Sequence, residues 1–408
     1  MSKKKLGIVA AVFGLCAICI PVTATIMFCS RNGESRPSDK LFVPPGPEAK
    51  SHVPSNLQKV IGEGLKRLDG EDFDQAKCGG LGTGLARCSG DYILVAADKD
   101  GKQTLVRVYQ GKRSDPPDYT VAMEPGWQTS RVGINVPLAI THPPDKTVVA
   151  LLTVMTIDGE AREMAYAPYS SSLDTPEMRA AGLRYLENLY GDAVAALDKK
   201  GVKSMFLKGR RVTESSDKLH IATLVLTEQV FSPDRFAAGD EKLRLSMVNR
   251  TLVLLAANGP DAYPLSISRK GAVGIAQIMP TTYAKLASDY PKADLPANSA
   301  EGRTQHESAV RAMILHADNQ WWAINGNEKY AAWLKSHPTE KSYLFAAGYN
   351  ASMGTIVDAV QACKERWLDA SCKKTPSETR TYLIKYRWIR DLLTDRSFRQ
   401  DVAKKAGY

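Results

Sequence analysis

Ser268–Tyr283 reads SRKGAVGIAQIMPTTY, and this stretch governs the interpretation of the carboxy-terminal half. Gly271 and Gly274 allow a tight turn and a close backbone approach. Pro280 then suits the first turn of a new helix. Gln277 is a single polar group among Ile275, Ile278 and Met279, as on a cleft wall with one hydrogen-bonding side chain.

Two further stretches follow in order, AAGYNASMGTIVDAV (Ala346–Val360) and ETRTYLIKY (Glu378–Tyr386). Together the three blocks resemble the soluble lytic transglycosylases, bacterial enzymes with a lysozyme-like fold that cleave the glycan strands of peptidoglycan. The likeness covers roughly residues 217–390. In that family a helix ending in Glu-Ser, a variable residue and Phe-Asn-Pro comes shortly before the glycine turn. At that short spacing this chain has Gly259, and GPDAYP supplies no acid of the required kind.

Further upstream, EQVFSP (Glu228–Pro233) keeps the glutamate, the phenylalanine three residues on and the proline two beyond it. The intervening chain contains Leu243, Leu245, Met247, Val248, Leu252, Leu254 and Leu255, an apolar helical pattern. It predicts a helical hairpin inserted between the acid and the glycine turn. Glu228 also follows the apolar run of HIATLVLTEQVF (His220–Phe231), a segment apolar enough to be buried on most sides, and it shares a face with Leu224 and Val225. A carboxyl in that setting is disfavoured as an anion and retains its proton, as a general acid must. Asp261, in a Gly-Pro loop, and Glu307, without the following Phe and Pro, are weaker candidates.

The resemblance implies a one-acid reaction. Glu228 is the expected catalytic acid, and Tyr349 matches the tyrosine that orients it. Gln277, Met279 and Tyr382 are expected along the sugar cleft, with Asn350 and Ser268 from the same blocks. The alternatives are a degenerate glycan-binding scaffold of an envelope or secretion complex and a hydrolytic muramidase. Gln229 in place of serine and Ser352 in place of glycine depart from the family pattern. No cofactor is implied. The six histidines form no HExxH-type spacing, and no metal is expected.

The remainder of the chain sets the context. Lys3, Lys4 and Lys5 precede an uncharged run, Leu6–Phe28. At about 1.5 Å per residue it can cross a bilayer core of roughly 30 Å, with the lysines cytoplasmic. The expected location is therefore the inner membrane, single-pass, with the body in the periplasm. Pro21 and the small residues Val22-Thr23-Ala24 leave open a cleaved signal peptide and a soluble periplasmic body.

Of seven cysteines, Cys78 with Cys88 and Cys363 with Cys372 are spaced for two local disulfides in an oxidising compartment. Their spacing does not suit zinc. A net charge of +10 favours anionic partners such as cell-wall polymer or phospholipid. No zinc-finger or aromatic-basic pattern points to nucleic acid.

The fold class is therefore α+β: an anchor over 1–29, a proline-rich linker over 30–55, a strand-rich α+β domain over 56–200 and a mainly helical, lysozyme-like domain over 201–408. Strands are predicted at YILVAA, TLVRVY and VVALLTVMTI, with turns at Asp100-Gly101 and Asp158-Gly159. Helices are predicted at about 175–199, 217–230, 240–257, 302–324, 340–362 and 376–394. GGLGTGLA (Gly79–Ala86) reads as a loop closed by cysteines, and Asn249-Arg250-Thr251 as a sequon that falls by chance within a helix. The expected partners are peptidoglycan, the membrane through residues 6–28, and an envelope or secretion assembly.

Overall fold

A computed structural model describes residues 56–395 and 398, except 79, 81, 82, 110–112, 124–137, 158, 231, 232, 269, 327, 338 and 339. The expected anchor and linker lie outside the described residues. No helix among the described residues is long and apolar enough to cross a membrane.

The fold is mixed α+β, with a small antiparallel sheet followed by helices. Strands β1 (Tyr92–Ala97), β2 (Gln103–Tyr109), β3 (Arg113–Asp115), β6 (Thr147–Ile157) and β7 (Glu160–Tyr166) form one sheet in the order β3-β2-β1-β6-β7. Strands β4 (Thr120–Met123) and β5 (Leu138–His142) pair separately. β1 and β6 are long apolar runs because both faces of the sheet are covered. Ile93, Val95 and Ala97 join the main core, and the alternating residues Tyr92, Leu94 and Ala96 pack with Leu138 and Ile140 of β5. Helix α1 (Leu57–Arg67) places Leu57, Val60 and Ile61 on the main-core side at helical spacing.

Helix α2 (Pro176–Lys199) starts where expected: the Thr175 hydroxyl accepts a hydrogen bond from the Met178 amide at 3.2 Å, and proline follows the cap. α2 lies against α5 (Glu241–Asn258) and α8 (His306–Asn325). A Cβ on Gly182 would come within 2.0 Å of the Leu252 carbonyl oxygen, so glycine is what lets α2 and α5 approach so closely. Asn258 at the end of α5 binds both the amide and the carbonyl of Ala167, just beyond β7. Sheet and helices therefore share one continuous core.

The other helices are α3 (Lys218–Gln229), α4 (Pro233–Ala238), α6 (Pro280–Asp289), α7 (Ser299–Thr304), α9 (Glu328–Ser336), α10 (Lys341–Asn350), α11 (Met353–Cys363) and α12 (Ser377–Thr394). Two expected helices are in fact broken. The segment 340–362 divides at Ala351, because Ser352 is extended and its hydroxyl accepts the Thr355 amide at 3.2 Å, capping a new helix. The segment 302–324 divides at Gln305, whose backbone is extended. A five-residue 3-10 turn, Gly84–Cys88, occupies part of the loop bounded by cysteines. Cys78 is bonded to Cys88 and Cys363 to Cys372. Asn249 is buried within α5, so its sequon is closed to modification.

Candidate active site

Helix α3 is buried almost all round. Ile221, Leu224, Val225 and Leu226 are enclosed, and so are two threonines. Those threonines return their hydroxyls to the helix: Thr223 donates to the Leu219 carbonyl at 2.6 Å and Thr227 to that of Thr223 at 2.7 Å. Glu228 is the first residue after this run that is not fully enclosed, and it is half-buried. The helix ends one residue later, as Val230 turns extended.

Gln229 fixes that end in place. It is 2% exposed, and its amide nitrogen donates to the carbonyls of Gly274 at 3.0 Å and Ile275 at 2.9 Å. Its amide oxygen accepts from the Ser266 hydroxyl at 3.2 Å. The acid-bearing helix is thus attached directly to the glycine turn, across a sequence separation of 45 residues. Between them the chain runs out through α4 and α5 and returns through a 3-10 turn at Gly259–Asp261.

The turn is held by its own polar groups and by Arg303. Gly274 has φ +72°, and a Cβ there would lie 2.3 Å from the Arg303 carbonyl oxygen. The Arg303 guanidinium donates to the carbonyls of Gly271 at 2.8 Å and Ile278 at 3.2 Å. Gln277, at φ +50°, donates from its amide nitrogen to the Ser266 and Gly274 carbonyls, each at 2.8 Å. That nitrogen is therefore committed to the turn. The Ser268 hydroxyl likewise accepts the Ala272 amide at 3.0 Å, within the same turn.

Helix α12 packs on α3, α4 and α10 and supplies the groups around the acid. The Tyr382 hydroxyl donates to Glu228 Oε1 at 2.7 Å. The Tyr349 hydroxyl donates instead to the Ala276 carbonyl at 2.5 Å, tying α10 to the turn. Asn350 Oδ1 accepts from the Thr379 hydroxyl at 2.9 Å and joins α10 to α12. Three of the expected residues, Met279, Tyr349 and Asn350, line a cavity of about 480 Å³ together with His316, Gln320 and the exposed Trp322. Glu228, Gln277, Ser268 and Tyr382 are outside that lining.

Burial dominates the electrostatics around Glu228. Burial pushes the Glu228 carboxyl from an ordinary 4.5 up to about 7. The Tyr382 hydrogen bond and the charge of Lys385 oppose that rise, and the charge of Glu378 adds to it. Tyr349 and Tyr382 are held well above the ordinary phenol value by burial first and by the charge of Glu228 second. Both therefore remain hydrogen-bond donors. Burial drives His316 down to about 4, so it stands neutral beside the Tyr349 ring.

Asp261 and Glu307 are both exposed, and Glu307 pairs with Arg311 at 3.6 Å. Among the described residues, Cys78, Cys88 and Asp91 could form a metal-sized cluster, but the two sulfurs are bonded to each other.

Gln229, Ser266, Arg303, His316 and Lys385 also belong to the site and are absent from the set expected from sequence. A single signal was available for Lys385: it lies three residues after Tyr382, on the same helical face. Compared with known proteins, the chain matches no family model and no curated protein.

Proposed function

We propose that the chain is a peptidoglycan lytic transglycosylase whose helical part, residues 201–408, is a lysozyme-like catalytic domain. The observation that carries this reading is Glu228, a half-buried carboxyl that keeps its proton to about pH 7 at the end of a buried helix, attached to the glycine turn and capped by Tyr382. A general acid active near neutral pH needs that combination.

In the proposed reaction Glu228 protonates the oxygen bridging N-acetylmuramic acid and N-acetylglucosamine, and the C1–O bond breaks. The N-acetylglucosamine leaves with that proton as its hydroxyl. The Glu228 carboxylate then takes the proton of the muramic acid C6 hydroxyl as O6 bonds to C1, closing a 1,6-anhydro ring. No water is consumed, and the acid is regenerated. Tyr382 orients the carboxyl in both states, and the cavity beyond Tyr349 offers Trp322 and several amides to a sugar.

Glycosidases that use water work with two carboxyl groups. The other carboxylate whose charge reaches Glu228 is Glu378, exposed in the first turn of α12. Purified sacculi digested with the protein and weighed by mass spectrometry test the proposal. Anhydro-muropeptides are the expected product, and Glu228→Gln is expected to release none. Reducing-end muropeptides would indicate a hydrolase instead, and intact sacculi that retain the protein would indicate a glycan-binding scaffold. We place the body in the periplasm behind an inner-membrane anchor at residues 6–28, which extraction of membranes with alkaline carbonate and with detergent would test.

A further inference from the structure

Lys385 is 5% exposed, a rare place for an ammonium group. It projects from α12 three residues after Tyr382, and its Nζ donates to the Val230 carbonyl at 3.0 Å. Val230 is the residue that ends α3, two positions after Glu228. A lysine at a helix C-terminus compensates the partial negative charge of the last carbonyls. Here that end of the helix also bears the acid, and α12 presents Tyr382 and Lys385 to it together.

We propose that Lys385 is a positioning residue for Glu228: its ammonium, held on the Val230 carbonyl, supplies the buried positive charge against which the Glu228 carboxylate forms each time the proton is given up. The inference rests on the assignment of Glu228 as the acid. Without a cation nearby, a carboxylate at the negative end of a buried helix is strongly disfavoured. The acid would then hold its proton too tightly to release it and recover it in one cycle.

The other groups facing Glu228 cannot serve this purpose. Tyr382 and Tyr349 are phenols, and Glu378 is an anion. Burial brings Lys385 down to about 8, with Glu228 working in the opposite direction, so the two groups titrate as a linked pair around neutral pH. No N···O contact within 4.0 Å joins them among the ion pairs of the described residues, so the influence is that of a charge acting at longer range.

The test is a titration of the Glu228 side-chain carboxyl by ¹³C NMR in the full chain, for wild type, Lys385→Gln, Lys385→Met and Lys385→Arg. Lys385→Gln retains a donor for Val230 but removes the charge. Its Glu228 midpoint is expected to rise by about one pH unit, as in Lys385→Met, with Lys385→Arg close to wild type. A Lys385→Gln midpoint within about 0.3 of a pH unit of wild type would overturn the proposal and leave a helix cap only.

Linkage provides a second measurement that does not depend on how the lysine variants fold. In Glu228→Gln the Lys385 Nζ should titrate lower than in wild type, and an unchanged midpoint there also overturns the proposal. On sacculi, Lys385→Gln should lower kcat roughly tenfold with little change in KM. If the carboxyl titration shifts as expected while wild type releases nothing from sacculi, the role of Lys385 stands and the proposed reaction falls.

Discussion

At the scale of single residues, the property that would suit Glu228 to the proposed catalysis also weakens the fold. Its carboxyl binds a proton to about pH 7 in the folded chain and to an ordinary 4.5 when unfolded. The folded state therefore binds more protons between those values, and its stability falls as pH rises through the window. The raised affinity contributes fully below about 4.5 and is lost above about 7. Allowing for the open side of Glu228, the loss is about 1–3 kcal/mol. Glu228→Gln should therefore melt higher than wild type at pH 8 and nearly equal to it at pH 4.5, by calorimetry at both values. Equal melting at pH 8 would mean that the carboxyl is solvated.

In the proposed reaction the same titration governs activity. Release from sacculi should be high below pH 7 and decline above it as the acid is lost. Tyr382→Phe removes a hydrogen bond to a charged oxygen, worth about 1.5–3 kcal/mol, so its kcat should fall tenfold or more. Its Glu228 midpoint should move upward, because that bond favours the anion.

At the scale of elements, the join between α3 and the glycine turn carries the site. Gln229→Ala would take the side-chain donor from the buried Ile275 carbonyl, while the Gly274 carbonyl keeps Gln277, and an unmet buried group costs about 1–3 kcal/mol. Thermal melting should register that loss, and activity should drop further than stability because the acid loses its register to the turn. Gly274→Ala would impose a Cβ on a left-handed backbone 2.3 Å from the Arg303 carbonyl oxygen, so it should melt lower still.

These elements were unequally visible in the amino-acid sequence. β1 and β6 could be read directly, because a strand covered on both faces is a continuous apolar run. α3 and Glu228 could be read because polar residues are scarce until Thr227 and Glu228. Lys385 could not. It shares α12 with Arg387 and Arg390 and reads as one more solvated base, and its burial follows from α3 and α4 packing over it. Gln229 stood out as a departure from a pattern, but its bonds to the turn exist only in three dimensions. The break at Ala351 was obscured for a similar reason: Ser352 is a good cap, yet the alanines around it continue a helical pattern on both sides.

At the scale of the whole molecule, the question is whether the helical half can work without the strands before it. Its core is not self-contained. α2 buries Met178, Leu183, Leu186, Leu189, Ala193 and Leu197, largely against α5 and α8. At about 1.5–3 kcal/mol for each large aliphatic side chain, losing this contact would remove an amount comparable to the 5–15 kcal/mol that a domain usually has in reserve. α5 is the helix that returns the chain from Glu228 to the glycine turn, so a loose α5 also loosens the site. A fragment of residues 201–408 is therefore expected to be insoluble or to lack a cooperative melting transition, and to be inactive on sacculi. Residues 56–408 should melt cooperatively and keep the proposed activity, since they retain α2, the Ala167–Asn258 hydrogen bonds and the sheet. A 201–408 fragment that melts cooperatively would show that α2 only decorates the helical body. The strand-bearing half, α2 included, would then be an appended module, and the faces of α5 and α8 that α2 covers would tolerate exposure in the fragment.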